Sequence, residues 1–230
     1  MKYIGNKTRL LDFIWESAVA SHIPAEGTLI DAFGGTGAVG RHFKEHGFRT
    51  ISNDLMTYSY IAQYVTVYIN KMPDFHKVSD SGVDGVLAIL NNEKLKKEGY
   101  VFTNFAPSGE FHRQYFSDDN AKRIDAIRDL IEDWNRQGLL SKDEYYILVY
   151  ALGDAADFVA NIAGTYGAYL KIWRSMALKP ICLKAPSIVD NHQQNEVYQE
   201  DVNALIPRLQ ADVLYLDPPY NERQYAPNFH

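Results

Sequence analysis

Apolar positions in the first third of the chain switch between two periods. Leu10, Leu11, Ile14, Trp15, Ala18 and Val19 recur at helical spacing, and Pro24 and Gly27 then interrupt. Thr28-Leu29-Ile30-Asp31-Ala32-Phe33 follows as a short strand that runs into Gly34-Gly35-Thr36-Gly37. Helical spacing resumes through Val39, Phe43 and His46 and stops at Gly47, after which Arg49-Thr50-Ile51-Ser52-Asn53, closed by Asp54, reads as a second strand. Strand, glycine turn, helix and strand form a βαβ unit, which implies a parallel sheet with a right-handed crossover.

From about Asn70 to Asn195 helical patterns dominate, with weakly patterned loops near 72–85 and 99–117. Ser117 is placed to cap a helix with Asp118 and Asp119 in its first turn, where carboxylates favour the helix dipole. Ile124, Ile127, Leu130, Ile131 and Trp134 form its apolar stripe, and Gly138 ends it. Ser141-Lys142-Asp143-Glu144 is a capping box for a second helix, with Tyr145, Leu148, Val149, Leu152 and Val159 on one face. After a polar loop over 190–195 the alternation returns: Val197 and Tyr198 as strand, Asp201 to Leu209 as helix, and Asp212 to Leu216 as a strand that enters Asp217-Pro218-Pro219-Tyr220. No internal repeat or low-complexity segment occurs.

The 230 residues, 46% hydrophobic and 23% charged, suit one globular α/β domain or one domain carrying a sizeable insertion, and they exclude disordered and fibrous classes. No run approaches the ~18 apolar residues of a membrane span, and the single cysteine, Cys182, fits a reducing compartment, so a cytoplasmic protein is expected. The net charge of −6 argues against nucleic acid until its distribution is considered. Between Phe158 and Val189 there is no acid, while Lys171, Arg174, Lys179 and Lys184 stand among Tyr166, Tyr169 and Trp173, leaving −10 on the rest of the chain. This stretch reads either as a face for nucleic-acid phosphates or as the solvated edge of a helix.

Three motifs carry chemistry. The glycine turn after Asp31 lets backbone approach a ligand at a helix N-terminus, and Asp54, about 20 residues downstream, stands where a carboxylate accepts hydrogen bonds from ribose hydroxyls. Together they suggest an adenosine-bearing cofactor. Asp217-Pro218-Pro219-Tyr220 suits alkylation of an amino group conjugated to an aromatic ring. Such a nitrogen is a poor nucleophile, and two acceptors, Asp217 Oδ and the Pro218 carbonyl, can each take one of its hydrogens and draw it toward tetrahedral geometry, while Pro218 and Pro219 fix φ so that the carbonyl stays aimed inward and Tyr220 stacks on the base. His42-Phe43-Lys44-Glu45-His46 has the spacing of a zinc-protease motif, but no further ligand accompanies it. It reads as a solvent-facing helix end, and no metal is expected.

Taken in order, Lys2-Tyr3-Ile4-Gly5-Asn6-Lys7, Asp31 to Gly37, Asp54, a long insertion, Glu200-Asp201-Val202 and Asp217 to Tyr220 resemble the motif series of Dam-type N6-adenine DNA methyltransferases of the alpha group. The resemblance extends over most of the chain, including Asn161 to Lys171 and Asn221 to Tyr225. It implies a Rossmann-like sheet, S-adenosylmethionine as cofactor and double-stranded DNA as substrate, with the target adenine flipped out of the helix. It further implies that Tyr3 and Lys7 hold the methionine end, that Phe33, Gly34, Gly35 and Gly37 line the cofactor, and that Asp201 reads its adenine. A restriction endonuclease is the partner the family suggests.

The expected organisation is a catalytic domain over 1–69 and 196–230 and a helical target-recognition insertion over 70–195. Only Asn221 to His230 follow the catalytic tetrapeptide. The expectation is therefore a sheet incomplete at its C-terminal side, with Asp212 to Leu216 as an exposed edge needing a cover such as a complementing C-terminal chain, and with weak turnover by this chain alone. The rival readings are an RNA or protein methyltransferase, and an inactive remnant that only binds.

Overall fold

Strand β1 (Thr28–Asp31) and strand β2 (Arg49–Asn53) are buried over nearly their whole lengths, as parallel strands covered on both faces must be. The structure, a computed structural model, describes residues 7–219. Alternate side chains of β1 serve opposite faces. Leu29 packs with Val39, Phe43 and Phe48, whereas Ile30 packs with Ala32 and Ile51. Helix α1 (Leu11–Ala20) covers the first face through Leu11, Ile14, Trp15 and Ala18. Helix α2 (Ala38–Glu45) returns the chain from β1 to β2, completing the βαβ unit. Strands β3 (Glu196–Tyr198) and β4 (Val213–Tyr215) extend the sheet in the order β3-β2-β1-β4, all parallel. Asp212 fastens the last strand, its Oδ2 accepting the Thr28 N–H at 2.7 Å. Among the described residues β4 pairs with β1 alone, and its central residue, Leu214, is 47% exposed.

Among the described residues the chain divides into two compact units, one of 7–72 with 187–219 and one of Pro73–Pro186. In the sheet unit, helix α3 (Thr57–Gln63) passes into a π-helical turn, Tyr64–Tyr68. Residues 187–195 belong with the sheet because their amides replace ladder partners: Asn195 Oδ1 accepts the Thr50 N–H at 2.9 Å, and Asn191 Nδ2 donates to the Phe48 carbonyl at 2.7 Å.

The second unit is built on α4 (Gly82–Leu90), α5 (Tyr100–Phe105), α6 (Asp118–Arg136) and α7 (Lys142–Val159). Ser117 caps α6 by accepting the Asn120 N–H, and Ser141 with Glu144 forms the reciprocal capping box of α7. Three expectations need correction. The loop near 99–117 contains α5, because Asp125 on α6 accepts the N–H groups of Gly99, Val101 and Phe102 and so caps it from another helix. Of the face expected for α7, Leu148, Leu152 and Val159 are buried, but Tyr145 and Val149 are only half-buried, and Ile147, Ala151 and Ala155 join the stripe in their place. The basic stretch after Ala160 is neither helix nor helix edge, apart from a 3₁₀ turn over Ser175–Leu178. Its backbone bonds instead to side chains: Asn120 takes the Ile181 N–H and donates to Lys179 O, and Arg123 donates to Ile181 O.

Two corrections fall in the sheet unit. The helix expected over Asp201 to Leu209 is one α turn, α8 (Val202–Leu205), followed by a 3₁₀ turn, Ile206–Arg208, since Pro207 has no N–H to continue the α ladder. The end of α2 is not simply solvent-facing either: Trp15 of α1 stacks on His46 at 3.9 Å between centroids and meets His42 edge-on at 6.4 Å. Among the described residues no helix is long and apolar enough to cross a membrane.

Candidate active site

The chain leaves β1 toward β2 on one side, and β4 later joins β1 on the other, so β1 is the point where the progression across the sheet reverses. Loops leaving adjacent strands diverge at such a point and leave a crevice beyond the carboxyl ends. That crevice has a volume of about 320 Å³ including its open mouth. Lys7, Asp31, Phe33, Gly34, Gly35 and Asp217 line it, together with Thr36, Ala38, Val39 and Tyr215.

The glycine turn is tied down by its own backbone. Gly34 N–H donates to Asn53 O and Gly37 N–H to Gly34 O, each at 2.8 Å. Gly35 and Gly37 sit at φ +52° and +78°, a region costly for residues with a Cβ. Asp54 clasps the turn from β2: Oδ2 accepts the Gly35 N–H at 3.0 Å and Oδ1 the Met56 N–H at 2.9 Å. Each oxygen keeps a further lone pair, so the same carboxylate can shape the turn and accept from a hydroxyl.

Asp31 closes the crevice floor and is 1% exposed. Its Oδ2 accepts the Gly40 N–H at 3.2 Å, and its Oδ1 has no hydrogen-bond partner among the described residues. Burial, reinforced by the Asp54 and Asp217 carboxylates, pushes its pKa up to about 7. Asp54 is likewise raised by burial. Burial and the Asp217 and Asp31 carboxylates push the Tyr215 phenol up to about 12.

Asp217 is half-buried at the mouth, and Lys7 Nζ lies 2.8 Å from its Oδ2. Lys7 thus pairs with the Asp217 carboxylate and lines the same crevice as the glycine turn. Pro218 and Pro219 follow, exposed. Asp201 is also exposed and caps α8 by accepting the Asn203 N–H at 2.8 Å. Asp54, Gly37 and Asp201 do not line the crevice itself. Tyr3 and Tyr220 lie outside the described residues.

Two residues without a sequence signal organise this end of the sheet. Asn53 Nδ2 donates to Ala32 O and Glu200 O, and its Oδ1 accepts the Glu200 N–H, tying the ends of three strands together. Gln63 reaches the glycine turn from behind. In the helical unit Lys171, Lys179 and Lys184 are exposed, whereas Arg174 Nη1 donates to Ile162 O at 2.9 Å and its N–H to Asn161 Oδ1.

The sequence matches, over residues 3–230, the family described as D12 class N6 adenine-specific DNA methyltransferase. The chain belongs to this family. It is 39% identical over 232 residues to Type II methyltransferase M.NlaIII of Neisseria lactamica, covering all of the chain and 67% of that relative. It is 38% identical to Modification methylase StsI of Streptococcus sanguinis and to Type II methyltransferase M.FokI of Planomicrobium okeanokoites. The chain spans about a third of the length of those two, 35% and 36%. The parallel sheet with flanking helices is the Rossmann-like methyltransferase fold. The crevice fits the sulfonium cofactor of a methyltransferase: two carboxylates, one buried with an oxygen that has no partner among the described residues, and one ammonium suit a ligand that carries both an amino-acid end and a positive sulfur.

Proposed function

We propose that the protein transfers a methyl group from S-adenosylmethionine to the N6 amino group of adenine in double-stranded DNA, in the cytoplasm and as the protective partner of a restriction endonuclease. The observation that carries this reading is the convergence of Asp31, Lys7 and Asp217 on one crevice at the switch point of the sheet. Family membership and the relatives named as modification methylases support it.

The turn over Gly34 to Gly37, with Asp31 and Lys7, would hold the cofactor, and Asp54 and Asp201 would take its adenosine end. When bound, that group supplies an electrophilic methyl. The chain's own part is to hold the nucleophile. Asp217 Oδ1 and the Pro218 carbonyl accept the two amino hydrogens of a flipped adenine, while Lys7 keeps Oδ2 of the same carboxylate occupied and fixes its plane. Tyr220 stacks on the base. In the helical unit, Lys171, Lys179 and Lys184 meet the phosphates.

Tritiated-methyl transfer to matched DNA and RNA, followed by chromatography of the hydrolysed product, tests the proposal. Label should appear as N6-methyladenine from DNA and fall on the order of a hundredfold or more in Asp217→Ala. Label confined to RNA, or unchanged in the variant, would overturn it.

A further inference from the structure

Gln63 is the last residue of α3, at the passage into the π-helical turn, and is fully buried. Its Nε2 donates to the Gly35 carbonyl at 3.0 Å, and its Oε1 has no partner among the described residues. Gly34 does not occupy the left-handed region, so its backbone would accept a side chain. The Gln63 amide takes up the space a side chain would need: a Cβ on Gly34 would lie 2.9 Å from both its Cδ and its Nε2, so the amide would have to shift. The first glycine of the turn is thus explained by the glutamine amide pressed against it. Thr66, one turn later, stands behind Gly37 in the same way, with its Oγ1 2.8 Å from where a Cβ would be, and is fixed by donating to Ala62 O at 2.7 Å.

The Gly35–Thr36 peptide is planar and trans, so its carbonyl and N–H point in opposite directions. With the carbonyl held on Gln63, the Thr36 N–H points away from that amide, and Thr36 lines the crevice. We infer that Gln63 is a positioning residue of the cofactor turn: acting through Gly35, it presents the Thr36 N–H to the cofactor, and Gly34 is glycine to admit it. This inference rests on the cofactor reading above.

Calorimetry with S-adenosylhomocysteine on wild type, Gln63→Met and Gln63→Glu separates the two. Wild type that does not bind overturns the cofactor reading and this inference with it. Given wild-type binding, Gln63→Met should weaken affinity on the order of tenfold, raising KM for the cofactor while kcat and KM for DNA stay unchanged. Gln63→Glu should be weak at pH 8 and recover toward wild type on acidification, because only a protonated carboxyl can donate to Gly35 O. Asp31 and Asp54, the acids facing the turn, are common to all three proteins, so the ratio between variants is the readout. Should either substitution unsettle folding, a double-mutant cycle remains: Gly34→Ala should cost several-fold less affinity in a Gln63→Ala background than in wild type. Wild-type affinity in Gln63→Met, a Gln63→Glu deficit that acid does not relieve, or an additive cycle would overturn the inference.

Discussion

Asp31→Asn tests whether the floor of the crevice is held at a cost to stability. The carboxyl is 1% exposed, and its pKa rises from 3.8 to about 7 on folding. A raised folded value means that the folded protein binds the proton more readily than the unfolded chain. Stability is therefore lost as pH rises from about 4 to 7, and the whole penalty is present above that window. The distance between the two values, about three pH units at about 1.4 kcal/mol each, sets the penalty at about 4 kcal/mol in the ligand-free protein. Asparagine keeps an oxygen for the Gly40 N–H and removes the charge, but it places an amide nitrogen where Oδ1 has no partner among the described residues, which returns about 1–2 kcal/mol of that gain. The variant should thus be more stable than wild type at pH 8 by about 2–3 kcal/mol, and that advantage should shrink to about zero at pH 5. Urea unfolding followed by Trp15 emission, with Trp134 and Trp173 replaced by Phe, reads the sheet unit alone, since Trp15 packs on Phe43 and Phe48. A stability difference that does not change between pH 5 and pH 8 would refute the reasoning.

Asp54→Ala should weaken S-adenosylhomocysteine binding by about 1.5–3 kcal/mol in calorimetry, because it removes both the clasp on the Gly35 N–H and the acceptor proposed for a ribose hydroxyl. Lys171→Ala, Lys179→Ala and Lys184→Ala should each reduce the log–log salt slope of DNA binding by about 1. Arg174→Ala should instead lower the melting temperature, since its guanidinium holds the Ile162 carbonyl. Phe43→Ala should cost about 3–5 kcal/mol in urea unfolding, the ring being 1% exposed and in edge contact with Trp15 and Phe48.

Features that depend on neighbours in the chain were legible without coordinates. The run from Thr28 through the glycine turn to Asn53 reads as strand, turn, helix and strand because apolar period and glycine placement act over a few residues. The caps at Ser117 and Ser141 are local hydrogen bonds, and they occur as read. The family too is carried by short motifs in a fixed order. The shortening of the helix after Asp201 is local as well, since Pro207 lacks the N–H that would continue it.

What tertiary structure decided are the partnerships between distant residues. Asp125 caps a helix 24 residues upstream, so no spacing marked α5. Arg174, read as a phosphate contact, is engaged with backbone carbonyls that only the folded loop brings to it. Lys7 and Asp217 lie at opposite ends of the described chain and meet at 2.8 Å because β4 joins β1 on the side away from β2. Asp31 is an ordinary strand-end acid by sequence, and its raised pKa comes from burial that the sheet and the glycine turn create together. Local sequence determines which elements form, through periods, caps and turns. Which charges are desolvated, and by whom they are met, depends on the packing of those elements, and so the chemistry of the crevice belongs to the fold.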